Sequence, residues 1–194
     1  TPIISTRSEY LSTLNIYEGT IQGAETNTIS SLYLYGKATV NMYGGTIAGG
    51  TATGNYGGNV YMSDKYDIIF NLIDGTVTGG TSNQGGNFRV AGGTVNISGG
   101  TVSEGTSTGN GGNIFLFGGA TLNVTGGAIE NGAALNANGG NIYIYGAGNV
   151  LLSGDATVSG ATSKNGGGKN IYFQPVGEEA SKLVMNGANV ESSI

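Results

Sequence analysis

The stretch GGNIYIYG, residues 139–146, alternates Ile142 and Ile144 with Tyr143 and Tyr145. Alternation with period two puts the isoleucines on one face of a β-strand and the tyrosines on the other. The Gly-Gly-Asn that opens it begins at Gly57, Gly85, Gly111 and Gly139, and Gly167-Gly168-Lys169-Asn170 is a version with one insertion. Successive starts lie 28, 26, 28 and 28 residues apart. Upstream, Ser31-Leu32-Tyr33-Leu34 precedes Asn59-Val60-Tyr61-Met62 by 28 residues, so the repeat continues there without its glycines. Self-similarity at such a period marks a repeat architecture.

Each repeat holds a second motif, apolar-x-apolar-x-x-Gly-x-apolar. It reads LNIYEGTI at 14–21, VNMYGGTI at 40–47, FNLIDGTV at 70–77, VNISGGTV at 95–102 and LNVTGGAI at 122–129, and a variant with its glycine one place earlier closes the series as LVMNGANV at 183–190. One repeat slips: Val150 and Leu152 lie one residue further from Val158, which predicts a bulge or a longer corner. One coil thus runs Ile114/Leu116, Leu122/Val124, Ile129, and the next runs Ile142/Ile144, Val150/Leu152, Val158. Burying each such side chain contributes about 2 kcal/mol. A lone coil cannot offset its own ordering entropy that way, so stability belongs to the stack.

The fold predicted is all-β: a right-handed parallel β-helix of about seven coils of roughly 28 residues, three short strands per coil. It forms a single domain over 1–194, expected to be a fragment of a larger surface protein. The long corners GGTATGNYGGN, EGTSTGNGGN and GATSKNGGGKN return the chain to its first strand. Asn59, Asn87, Asn113, Asn141 and Asn170 close these corners and are predicted to stack as a structural amide column.

Composition agrees. Glycine numbers 39 and proline 2, with 38% hydrophobic residues, and the glycines are periodic, so disorder is not the reading. Gly, Thr, Asn and Val are poor helix formers. Net charge is −5, which disfavours nucleic acid as a partner. With no cysteine there is no disulfide framework and no thiolate metal site. No apolar run approaches the ~18 residues of a membrane span. The opening Thr1-Pro2 reads as a mature form or an excised fragment.

On these repeats the chain resembles the pectin-lyase-like right-handed β-helix superfamily. More narrowly, it is similar to the Gly/Asn/Thr-rich GGNIY…VNISGGT repeats of large surface proteins of anaerobic gut bacteria. The resemblance covers about residue 10 to 194. It implies an exported bacterial protein, extracellular or on the cell surface. It implies one of several roles: polysaccharide lyase, glycoside hydrolase, adhesin or passive stalk.

Enzymes of that superfamily set carboxylates, or a base and a cation-binding cluster, on adjacent coils. Here there is no histidine, and the 12 acids scatter. Glu104 and Glu130 occupy what read as corresponding corners, Asp155 stands alone, and Asp64, Asp67 and Asp74 offer oxygens to a calcium ion. Such acids read more simply as solvated corners and a polar loop. GGGK at 166–169 lacks the spacing and the helix of a phosphate loop. No enzyme activity, cofactor or metal is expected.

Outward positions of the first strand are Tyr33 and Tyr35, Tyr61 and Ser63, Arg89 and Ala91, Phe115 and Phe117, Tyr143 and Tyr145, Tyr172 and Gln174. Eight of these twelve are aromatic, predicted as two columns on a flat face, split into two patches by Arg89-Ala91. Such columns stabilise sheets through cross-strand pairs, and a long corner can fold over them and bury them. Left uncovered, they suit stacking on sugars. A second outward column is Asn15, Asn41, Asn71, Asn96 and Asn123, and a third is Thr20, Thr46, Thr76, Thr101 and Thr157, interrupted by Ala128. The expected function is a non-enzymatic structural or adhesion module binding a polysaccharide or host-surface glycan through the aromatic face. A carbohydrate-active enzyme is the alternative and an ice-binding solenoid a minor one. Further expected partners are the rest of the parent protein and, through open solenoid ends, another copy end to end.

Overall fold

The computed structural model describes residues 2–23, 29–178 and 180–190. β-Branched and Leu/Phe alternations bounded by glycine make short strands, and among the described residues there is no helix. Three seven-stranded sheets run the length of the molecule, and every strand pairs in parallel with its counterpart one repeat away. The first sheet holds Ile4–Thr6, Leu32–Leu34, Val60–Met62, Phe88–Val90, Ile114–Leu116, Ile142–Tyr145 and Ile171–Gln174. The second runs from Ser12–Ile16 to Lys182–Asn186, and the third from Thr20–Gln22 to Asn189–Val190. The chain is a parallel β-solenoid of about 6 turns with roughly 28 residues per turn, as the repeat predicts.

A fourth strand, absent from the sequence-based expectation, lies in the long corner of four coils. Thr81–Ser82, Thr106–Ser107, Ala133–Ala134 and Thr162–Ser163 form a short sheet of their own. The register follows the repeat: Tyr33 pairs with Tyr61 although its coil has no Gly-Gly. The slip near Val150 is a longer corner and not a bulge. Val150 pairs with Leu122 and Val158 with Ile129, so the extra residue falls in the turn between the strands, where Gly154 takes φ 59°.

Inward side chains stack into one apolar core. Ile142, Ile144, Val150, Leu152 and Val158 are all buried, each over its equivalent in the coil before. The core thins at the last coil, where Leu183, Met185 and Val190 are exposed. Glycine is dictated by space at Gly112, where a Cβ would collide with the carbonyl oxygen of Gly140 and the backbone of Ala133. The coils therefore approach closely at the corner that the asparagines close.

Candidate functional site

Each corner asparagine is buried, and the three central ones, Asn87, Asn113 and Asn141, bond in at least four directions. The Nδ2 of Asn59 donates to Asn87 Oδ1 at 2.7 Å, Asn87 to Asn113 at 2.7 Å, Asn113 to Asn141 at 2.7 Å and Asn141 to Asn170 at 2.8 Å. The second Nδ2 hydrogen goes to the backbone: Asn113 donates to the Glu130 carbonyl at 2.8 Å. Its Oδ1 also accepts the Gly105 N–H at 2.8 Å. An amide that makes all four of its bonds is satisfied in the low-dielectric interior, where a loose one is costly.

The first sheet carries the aromatic columns, with one departure from expectation. Arg89 does not split the inner column but completes it. Tyr33 and Tyr61 stack at 5.3 Å, Phe115 and Tyr143 at 5.3 Å, and Tyr143 and Tyr172 at 5.4 Å. Between the two runs the Arg89 guanidinium lies 5.7 Å from the Tyr61 ring centroid and 5.9 Å from that of Phe115. A planar cation substitutes for a ring in the row. Arg7 lies 5.4 Å over the Tyr33 ring.

This stacking also closes the inner part of the face. Tyr33, Phe115 and Tyr143 point outward from the strands yet are buried, with Phe115 and Tyr143 each only 4% exposed. Tyr61 and Tyr172 are half-buried. Their ring faces are used on one another. The long corner adds cover: Tyr56 meets Tyr61 edge-on at 5.0 Å and Tyr33 at 5.7 Å. Burial, then the neighbouring Tyr172 and Tyr145, pushes the Tyr143 phenol from 10.0 up to about 12. Burial likewise raises Tyr33 and Tyr61, against the pull of Arg7 and Arg89.

The outer column stays accessible. Tyr35 and Phe117 are half-buried and Tyr145 is 45% exposed, while Ser63 and Ala91 leave the row low between Tyr35 and Phe117. Lys65 Nζ sits 5.1 Å over the Tyr35 ring. The Arg89 guanidinium reaches across to 4.3 Å from the Phe117 ring centroid. Here a cleft of about 390 Å3 opens, lined by Gln84, Arg89, Asn110, Phe115, Phe117, Tyr143 and Tyr145. Its polar wall comes from the long corners, and Arg89 Nε donates to Gln84 Oε1 at 3.2 Å. Of the eight aromatic residues predicted for the site, four line the cleft (Phe115, Phe117, Tyr143, Tyr145), while Tyr33, Tyr35, Tyr61 and Tyr172 lie elsewhere along the rows.

Sequence reading passed over Gln84, Asn110 and the covering Tyr56, which sit in irregular corners. It also missed Tyr17 and Tyr43, exposed on the second sheet and stacked at 5.1 Å. The signal was present, since both follow the strand motif at equivalent positions, LNIY and VNMY. Beside them, Asn41, Asn71, Asn96 and Asn123 each donate Nδ2 to the preceding asparagine at 2.8–2.9 Å. The column ends because Leu151 follows Asn123 in register.

The acids are placed differently from expectation. Glu130 pairs with Ser103, so Glu104 corresponds to Asn131; these two share the left-handed corner, at φ 55° and 56°. Asp64 and Asp67 line a second cleft of about 310 Å3 with Lys37, Lys65 and Tyr66. Asp74 is not with them, and its carboxylate caps the Gly75 N–H at 2.7 Å. Among the described residues no three acidic groups gather in a way that would hold a metal ion. In the third sheet the Thr78 hydroxyl is tied to Ser103 at 3.0 Å.

These features define the class of molecule, a parallel β-solenoid with laddered asparagines and a cleft on one sheet. No protein-family model, curated protein or solved structure matches the chain. The class therefore rests on geometry alone. Among the described residues no helix is long and apolar enough to cross a membrane.

Proposed function

We propose that this chain is a non-enzymatic β-solenoid module of an exported or surface-attached bacterial protein, serving display and adhesion. It contacts a polysaccharide or host-surface glycan at the first-sheet cleft. The observation that carries this reading is the composition of that cleft: accessible rings of Phe117 and Tyr145 beside the amides of Gln84 and Asn110 and the guanidinium of Arg89. Rings take the apolar face of a sugar, and a few convergent polar groups take its hydroxyls. A chain lying on this sheet meets one recessed site. It does not meet ring after ring, because the inner rings are spent on each other.

The test is retention on a panel of soluble and insoluble polysaccharides, with the variant Phe117→Ala/Tyr145→Ala alongside. These two residues are chosen because Phe115 and Tyr143 are buried and their truncation disturbs the sheet. Retention of wild type on one or more glycans, weakened at least tenfold in a variant with an unchanged melting transition, is expected. Failure of wild type to bind any glycan on the panel sinks the reading.

One observation favours the enzyme alternative: Asp64 and Asp67 share a cleft with Lys65 and Lys37. Glycoside cleavage uses paired carboxyls. These two come from one loop and not from adjacent coils. The same incubations settle this by assay for cleaved ends; accumulation abolished by Asp64→Asn/Asp67→Asn replaces adhesion with catalysis.

A further inference from the structure

We infer that the first-sheet cleft selects anionic glycans, and that Arg89 receives their acidic group. This inference rests on the glycan-binding reading and narrows its ligand class.

Arg89 is half-buried, and the groups packed on it are neutral: the rings of Tyr61, Phe115 and Phe117 and the amide of Gln84. Among the described residues no carboxylate lies within ion-pairing distance of it; Asp64 favours its charge from further away. Burial works against the charged form. Buried charges are ordinarily paired, and cation–π contacts make up part of the deficit here. A guanidinium has five N–H donors. One bonds Gln84, and Arg89 lines the cleft, so donors remain there for a two-oxygen acceptor. A carboxylate or a sulfate presents that pair in matching geometry.

The wider charge pattern agrees. The chain carries −5 with only 7 basic residues. Four of the seven, Arg7, Lys37, Lys65 and Arg89, lie on or beside the first sheet, three of them over its aromatic rings. Lys37 and Lys65 share their cleft with Asp64 and Asp67, so the cation left without a carboxylate at the first-sheet cleft is Arg89, which is complementary to an acidic polymer. The exposed Tyr145 ring beside Arg89 supplies the stacking surface for the sugar that bears the anion.

The experiment titrates the 194-residue chain with dextran, dextran sulfate and polygalacturonate of matched length, by calorimetry or affinity electrophoresis. Arg89→Gln, Arg89→Lys and Tyr145→Ala are run in parallel, each checked for an intact melting transition. At least one anionic polymer is expected to bind tenfold or more tighter than dextran, and the preferred one tells sulfate from carboxylate. Arg89→Gln should lose that preference, and Arg89→Lys, which keeps charge but not the fork, should lose most of it. Should Arg89→Gln not fold, Tyr145→Ala must lose at least tenfold in anionic binding. Equal binding of dextran and the anionic polymers overturns this inference and leaves the glycan reading standing. No binding to any of the three overturns both. Anionic binding unchanged in a folded Arg89→Gln, or in Tyr145→Ala, shows adventitious charge attraction and also overturns it.

Discussion

Two rows of asparagine run along this solenoid, and the same residue does different work in each. The inner row, Asn59 to Asn170, is buried, and its amides bond the backbone of their own coil as well as each other. The outer row, Asn15 to Asn123, joins side chain to side chain on the face of the second sheet, and stops where Leu151 takes the next position. Repetition by itself does not tell a structural residue from a surface one. What separates them is whether the backbone is part of the bond network.

The largest effect expected of any test of this contrast is at Asn113. Asn113→Ala strips partners from the Gly105 N–H, the Glu130 carbonyl and the Asn87 and Asn141 amides at once. Several unsatisfied buried groups cost about 3 kcal/mol or more. Asn96→Ala on the outer row should cost about 1 kcal/mol or less, because water takes up the freed groups. Denaturant midpoints measure both, and similar losses at the two sites would falsify the distinction.

The aromatic columns repeat the contrast, with Tyr143 buried and Tyr145 exposed, and pH sharpens it. Below pH 10.0 folded and unfolded chains both keep the Tyr143 proton. Between 10.0 and about 12 the unfolded chain releases it and the folded chain does not, so stability falls as pH rises. Tyr143→Phe removes that share of the alkaline loss, leaving the shares of Tyr33 and Tyr61. Thermal melts across that range are the measurement; parallel profiles for wild type and Tyr143→Phe count against it.

The smallest effect is a gain. Leu151→Asn should extend the outer row, because the new amide can donate to Asn123. About 0.5–1 kcal/mol is the scale of one such bond. A loss of stability in equilibrium unfolding would mean that Leu151 is held by packing that outweighs the ladder.

The repeat was legible because three separate signals recur together: inward apolar pairs, the closing asparagine and the glycines that bring coils into contact. Strand positions, register and the Asn rows follow from them directly, down to Tyr33 over Tyr61. The fourth short sheet was not legible, since two-residue strands such as Thr81–Ser82 carry no alternation. The site was legible only in part. Period two says which side of a strand a ring leaves from, not whether neighbours then cover it, so Tyr143 was placed correctly and its burial was left open. Arg89 looked like an interruption because residue type was read without shape. Gln84 and Asn110 come from corners, where spacing varies by two residues between coils.

The inner row has one more property. Each side-chain amide from Asn59 to Asn141 points its donor at the asparagine of the following coil. The rod thus has a grain. A ribosome delivers the chain in that same order, so each finished coil presents an N–H to which the next asparagine supplies the oxygen. Assembly that starts at the amino-terminal end meets a waiting template at every turn, while assembly from the other end must fit each new coil's donor to an acceptor already fixed in place.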